Sequence, residues 1–160
     1  MRVLIISDTH GRDEPFNKVI ARTGRDIDML VHCGDIEGRE EMYRRSLSCP
    51  VRMVPGNNDY FSMMPKDVQF EIGDHRVWLT HGHIYRVSLG LEYLKDEARA
   101  RDVDVVMFGH THRPVIERDG NLTLLNPGSL TYPRQENRRP SYIVMEIKEN
   151  GDTDYEIKYL

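Results

Sequence analysis

The sequence predicts an α/β fold with two β-sheets packed face to face and helices outside. Three observations carry that expectation. The first third alternates short apolar runs with helical patterns in the order β-α-β-α-β, which calls for parallel strands joined by right-handed crossovers. The rest pairs apolar runs around tight-turn signals, as antiparallel hairpins do. And the 160 residues hold more strands than one modest sheet takes.

Each element has its own signal. Residues 3–6 are a β-branched run entering the loop Ser7, Asp8, Thr9, His10, Gly11, so they read as a buried strand. Asp13 is placed to cap a helix with Glu14 and Pro15 in its first turn, Phe16, Val19 and Ile20 at helical spacing, and Gly24 at its close. Residues 28–33 form a second apolar run, stopped by Gly34 and Asp35. Residues 39–47 suit a charged surface helix packing Met42 and Leu47, and residues 51–54 a third strand broken by Pro55, Gly56, Asn57, Asn58 and Asp59.

Residues 68–72 and 76–80 flank Gly73, Asp74 and His75, a hairpin signal that puts His75 in a solvated turn. The second of these strands ends in His81-Gly82-His83. Residues 89–100 are the clearest helix, with Ser88 as its cap and Leu91, Leu94 and Ala98 on one face. Residues 103–108 then lead into Gly109-His110-Thr111-His112. Two further hairpins follow, around Asp119-Gly120-Asn121 and Asn150-Gly151-Asp152, with Asn126-Pro127-Gly128-Ser129 between them as a turn-forming tetrad.

Composition narrows the functional classes. The length fits one domain over residues 1–160, and 39% hydrophobic with 30% charged residues describes an ordered globular chain. A net charge of −4 gives no overall attraction to nucleic acid or to an anionic membrane. No apolar run approaches the ~20 residues of a membrane span, and the first is shorter than a signal-peptide core, so a cytoplasmic location is expected. Cys33 and Cys49 are the only cysteines, with neither a CxxC motif nor the two pairs of a zinc ribbon, and they read as core or near-surface thiols.

Five apolar runs end in Asp8 and His10, Asp35, Asn57 and Asp59, His81 and His83, and His110 and His112. In open α/β sheets, ligands bind at the carboxyl ends of the strands. If these ends converge, carboxylates, imidazoles and one amide line a single pocket, a donor set suited to Mn, Fe, Zn, Co or Ni. One catalytic ion needs about three protein ligands. At least seven stand here, enough for two ions sharing a carboxylate, the usual device for displacement at phosphorus.

The ordered set Asp8-x-His10, Gly34-Asp35, Gly56-Asn57-x-Asp59, His81-Gly82-His83 and Gly109-His110-x-His112 resembles the calcineurin-like metallophosphoesterases. The small size and the 126–129 tetrad are similar to the small YfcE/MJ0936-type phosphodiesterase branch. The resemblance implies a four-layer α-β-β-α sandwich of two mixed sheets. It implies a first ion held by Asp8, His10, Asp35 and His112, and a second by Asp35, Asn57, His81 and His110, with Asp35 bridging. It implies a hydroxide between the ions as nucleophile, manganese as the first choice of metal, and nickel, iron, zinc, cobalt or magnesium as alternatives. The implied substrate is a small phosphate ester, with nucleotide-like esters included, and the implied partners include neither a membrane nor stably bound nucleic acid; a homo-oligomer is allowed.

One position departs from the pattern. Many members carry His where this chain has Asn58, and that His protonates the leaving group or holds the phosphate. An amide hydrogen-bonds a phosphoryl oxygen but donates no proton. Catalytic work is therefore expected of Asp35, Asn58, Asp59 and His83, with His83 the nearest replacement for the missing imidazole and Asp59 freed from orienting it.

Each residue also has a bland reading. Asp8 suits a helix cap, Gly34-Asp35 and residues 56–59 suit turns, and only the clustered histidines resist a structural account. His32 alternates within a strand and has no assigned role. Arg134, Arg138 and Arg139 form either a solvated loop or a basic wall of the cleft, while Phe61, Met63 and Met64 are open to local packing, substrate contact or a dimer interface. His110 and His112, two apart on an extended chain, would face the same way and share one ion; only the resemblance divides them. The competing functions are a non-catalytic interaction scaffold of the same fold, as in a retromer subunit, and a phosphomonoesterase.

Overall fold

The apolar runs at residues 3–6, 29–32 and 105–107 become strands buried on both faces. The computed structural model describes residues 1–24 and 26–160. Strands β1 (Arg2–Ile6), β2 (Met29–His32) and β3 (Val51–Met53) lie parallel, with Val3 beside Met29 and Leu30 beside Val51. Their crossovers are α1 (Asp13–Thr23) and α2 (Glu40–Ser46). Next come the hairpin of β4 (Asp67–Ile72) and β5 (His75–Thr80), helix α3 (Glu92–Ala100), β6 (Val105–Met107), and the antiparallel pair β7 (Pro114–Asp119) and β8 (Leu122–Pro127). The last hairpin, β9 (Ser141–Ile147) and β10 (Thr153–Tyr159), returns to the first sheet, β9 running antiparallel to β1.

The result is two mixed five-stranded sheets, ordered β10-β9-β1-β2-β3 and β4-β5-β6-β8-β7. Strand alternation decides what each face meets. Val3, Ile5 and Val31 of the first sheet pack against Val77, Leu79 and Met107 of the second. Leu4, Ile6 and Leu30 point the other way, onto Phe16 and Val19 of α1 and Tyr43 of α2. Trp78, Val106 and Leu124 on the far face of the second sheet meet Leu94 and Ala98 of α3. These are the four layers α-β-β-α. Because β1, β2 and β3 are mutually parallel, as are β5, β6 and β8, the carboxyl ends within each set share an edge.

Several local expectations need correction. Asp13 opens α1 rather than capping it; the flanking residue is Arg12, and no side chain caps the helix among the described residues, although Gly24 closes it through a bond to the Ile20 carbonyl. α3 starts at Glu92 behind Leu91, so Ser88 is not its cap; residues 86–89 form a turn with Arg86 in the left-handed region. His75 begins β5 instead of sitting in a solvated turn, and its Nε2 lies 2.7 Å from the Thr153 hydroxyl. Asn126 and Pro127 extend β8, which leaves only Gly128 and Ser129 to the turn. A 3-10 turn at His83–Tyr85 carried no sequence signal. Both cysteines are free thiols, Cys33 buried and Cys49 half-buried. No helix among the described residues is long and apolar enough to cross a membrane.

His32, unassigned from sequence, is the last residue of β2 and is fully buried, its ring against Tyr43 of α2. Its Nδ1 accepts the Gly34 N–H at 3.2 Å, which leaves Nε2–H to donate to the Thr9 hydroxyl at 3.0 Å. Burial pushes its pKa down to about 4. The unfolded chain takes up this proton near 6.5 and the folded chain only near 4, so His32 contributes stability above 6.5 that fades as pH falls toward 4. Denaturant titrations of His32→Gln should show a shallower loss of stability between pH 6.5 and 4 than the parent protein; an equal slope would place the acid sensitivity elsewhere.

Candidate metal centre

The loops after β1, β2, β3, β5 and β6 meet at one edge of the sandwich. Asp8, His10, Asp35 and His112 each present a ligand atom there, and these atoms lie within 4.8 Å of one another. Asp8, Asp35 and His112 are buried. His112 Nε2 stands 3.0 Å from Asp8 Oδ1, His10 Nε2 lies 3.5 Å from His112 Nε2, and His10 Nε2 is 3.8 Å from Asp35 Oδ2.

The protons of these rings are used on the outside. His10 Nδ1 faces Glu37 Oε1 at 2.7 Å, and His112 Nδ1 faces the Tyr132 carbonyl at 2.7 Å. Both partners are acceptors, so Nδ1 donates and Nε2 of each neutral ring turns a lone pair inward. Asp8 Oδ1 has no hydrogen-bond donor among the described residues despite the short approach of His112. Burial pushes the Asp8 carboxyl up, but His112, the charge of His81 and the Ser7 hydroxyl outweigh it and hold it at about 2. Burial lowers the His112 pKa, and the Asp8 carboxylate more than reverses this. The pocket draws positive charge between these two groups, and a divalent ion fits the donor set.

A second group adjoins the first. Asn57 Oδ1 lies 3.2 Å from His81 Nε2 and 2.8 Å from His110 Nδ1, and His81 Nε2 is 3.6 Å from Asp35 Oδ2. His81 Nδ1 faces the Cys33 carbonyl at 2.7 Å, so this ring also aims a lone pair at oxygen acceptors. Burial and the charge of His81 depress the His110 pKa. Asp35 thus touches both groups.

The other expected residues sit differently. Asn58 binds Asp35 twice, through its backbone N–H to Oδ1 (2.9 Å) and its amide to Oδ2 (2.7 Å). The Asp59 carboxylate accepts the backbone N–H groups of Ile36, Glu37 and Gly56 and so ties the loop carrying Asp35 to the loop carrying Asn57. His83 is half-buried, its ring centre 5.4 Å from that of His81 and 6.1 Å from that of His110. Its Nδ1 is buried without a partner among the described residues, and burial pushes its pKa down to about 4.

The alternation argument for His110 and His112 fails because the chain is not extended there. β6 ends at Met107, and the two residues have φ of +69° and +57°. One therefore faces Asn57 and the other Asp8. Asp8, His10 and Asp35 also have positive φ, at +54°, +46° and +56°. Such backbone costs about 1–2 kcal/mol per residue. It is held in part by bonds from the Asp8 N–H to the Gly34 carbonyl and from the His10 N–H to the Asp35 carbonyl.

The glycines of the motifs answer to close approach. A Cβ on Gly56 would lie 2.1 Å from Asp35 Oδ1, and one on Gly109 would lie 2.1 Å from Ser7 Oγ and 2.9 Å from Asp8 Oδ2. Sequence reasoning missed the roles of Asn126 and Ser129. The Asn126 amide donates to the Gly109 carbonyl and the Thr111 hydroxyl, and the Ser129 hydroxyl donates to the Asp8 carbonyl. Their turn-like composition concealed this. Tyr132, also missed, sets its ring edge-on to His10 at 5.1 Å. The basic cluster divides: the Arg134 N–H bonds the His112 carbonyl, whereas the Arg139 guanidinium binds the Leu160 carbonyl. Phe61 and Met63 are 98% and 97% exposed, while Met64 packs on the core beneath α2.

Comparison with known proteins agrees with this architecture. Residues 1–150 match the calcineurin-like phosphoesterase superfamily domain. A probable metallophosphoesterase of Bacillus subtilis, YsnB, is 31% identical over 153 residues, covering 96% of this chain and 88% of that protein. Phosphodiesterase MJ0936 of Methanocaldococcus jannaschii is 27% identical over 144 residues, covering 80% of this chain and 83% of its own. Among solved structures, a protein of Streptococcus pneumoniae described as a predicted phosphoesterase superposes with a TM-score of 0.83 at 28% identity, covering 99% of this chain and 88% of that one. Entamoeba histolytica Vps29 complexed with zinc superposes at 0.78 with 27% identity, covering 99% of each chain. Sheet order, the edge of converging loops and these matches agree: the chain belongs to the calcineurin-like phosphoesterase superfamily.

Proposed function

We propose that this protein is a two-metal phosphodiesterase acting on a small, nucleotide-like phosphate ester in the cytoplasm, with residues 1–160 working as one domain. The ligand atoms of Asp8, His10, Asp35 and His112, within 4.8 Å of one another and including a buried Asp8 Oδ1 with no donor among the described residues, carry the reading. These four would hold a first divalent ion, manganese as first choice, and Asp35 with Asn57, His81 and His110 would hold a second. Bound there, the ions supply a water of lowered pKa and positive charge against the phosphoryl oxygens.

The chain's own groups do the rest. Glu37, the Tyr132 carbonyl and the Cys33 carbonyl fix the ring orientation of His10, His112 and His81. The Asn58 amide, now on Asp35, is placed to donate to a phosphoryl oxygen but has no proton to give. Asp59 positions both loops through their backbone. His83, with its free Nδ1, is the nearest imidazole able to hold or pass a proton. Esters with acidic leaving groups should therefore be preferred. The name of the M. jannaschii relative supports diester over monoester substrates. Likeness to Vps29 keeps a scaffold role as the second reading.

With added manganese or nickel, the purified protein should hydrolyse bis(4-nitrophenyl) phosphate faster than 4-nitrophenyl phosphate; inactivity with every divalent ion would favour the scaffold. Asp35→Asn should lower both metal content and rate by at least the ~10–100-fold that loss of a ligand-orienting partner costs. Full activity in that variant would remove Asp35 from its bridging place. For Gly109→Ala, the added methyl meets Ser7 and Asp8, so elemental analysis should show metal loss alongside a destabilisation of about 1–3 kcal/mol.

A further inference from the structure

Beside the metal centre lies a cavity of about 530 Å³ that none of the proposed ligands lines. Its size is that of a small-molecule site, for which ~300–1,000 Å³ is usual. It shares a wall with the centre through Thr111, whose neighbours in the chain are His110 and His112, each ~3.8 Å away between Cα atoms. Thr111 is held from behind by the Asn126 amide, which also binds the Gly109 carbonyl.

The lining divides by chemistry. Leu89, exposed, and Leu91, half-buried, make an apolar side, backed by Val87 and Phe108, which are almost wholly buried and continuous with the core beneath α3. Arg113 and Arg134 stand on the exposed rim. Neither guanidinium has an ion-pair or side-chain hydrogen-bond partner among the described residues, unlike those of Arg76, Arg99 and Arg101, which pair with carboxylates. The Arg134 backbone N–H bonds the carbonyl of His112, which places the Arg134 main chain between cavity and centre.

Resting on the phosphodiesterase reading, we propose that this cavity is the subsite for the non-leaving arm of the substrate, and that the arm is an aromatic ring carrying a second anionic group, as in a nucleotide with a further phosphate. The ring packs on Leu89 and Leu91, and the extra phosphate is bound by Arg113 and Arg134, whose forked donors match its oxygens. A plain aryl ester leaves the two arginines unused. A bare sugar phosphate leaves the apolar side wet. An overall negative chain gains its anion selectivity from this local pair.

Binding of thymidine 3′,5′-bisphosphate to the intact protein, measured by calorimetry with manganese present, tests the assignment. It should bind about tenfold tighter than thymidine 5′-phosphate and about tenfold tighter than the abasic deoxyribose bisphosphate. The double variant Arg113→Ala, Arg134→Ala should erase the first advantage and keep the second. Equal affinity for the mono- and bisphosphate, or an advantage that survives in the variant, overturns the subsite. Hydrolysis of bis(4-nitrophenyl) phosphate by the unaltered protein reads the parent proposal separately. Hydrolysis without a bisphosphate advantage defeats the subsite alone, and an advantage without hydrolysis of any diester defeats its role as a substrate arm.

Discussion

Crowding of like-minded atoms governs this molecule. Three imidazole lone pairs, two carboxylates and an amide oxygen turn toward a small buried volume; the ring N–H groups point outward, and Asp8 Oδ1 receives no donor among the described residues. Burying acceptors without donors costs free energy that a folded chain recovers only from a cation or a shared proton. The short approach of His112 to Asp8, and the opposed directions in which their pKa values move, record that demand. The rest of the fold can be understood as the frame that enforces this crowding.

The frame works through backbone more than through side chains. Five of the seven expected ligands, Asp8, His10, Asp35, His110 and His112, occupy left-handed backbone. They are kept there by bonds between loops from different strands, with Asp59, Asn126 and Ser129 serving as polar rivets. Gly56 and Gly109 let main chain pass so near Asp35 and Asp8 that even a methyl group would displace a carboxylate. Strain of this kind collects at functional sites because the surrounding packing over-determines it. Here that packing is the apolar layer between the sheets.

Much of this was legible before any coordinates. Runs such as residues 3–6 and 103–108 announce buried strands by continuous apolar character, and their polar punctuation marks the edge where the site forms. What stayed hidden follows from how local signals work. Asn126 and Ser129 look like turn residues because the polar atoms that suit a turn also suit clasping a distant carbonyl. Ser88 had the chemistry of a cap but stands in a turn four residues before α3 begins. The separation of His110 from His112 was invisible because period-two reasoning assumes extended backbone, and both residues leave it. His32 gave no hint, since its partners Thr9 and Gly34 come from two different loops.

The centre is assembled across the sandwich. Asp8, His10, Asp35 and Asn57 hang from one sheet, while His81, His110 and His112 hang from the other. The separation between those two sheets is set by Val31, Cys33, Val54, Leu79 and Met107, all buried in the shared apolar layer. A methylene gained or lost in that layer alters the spacing between the two sets of donor atoms, so the geometry of the centre depends on residues outside it.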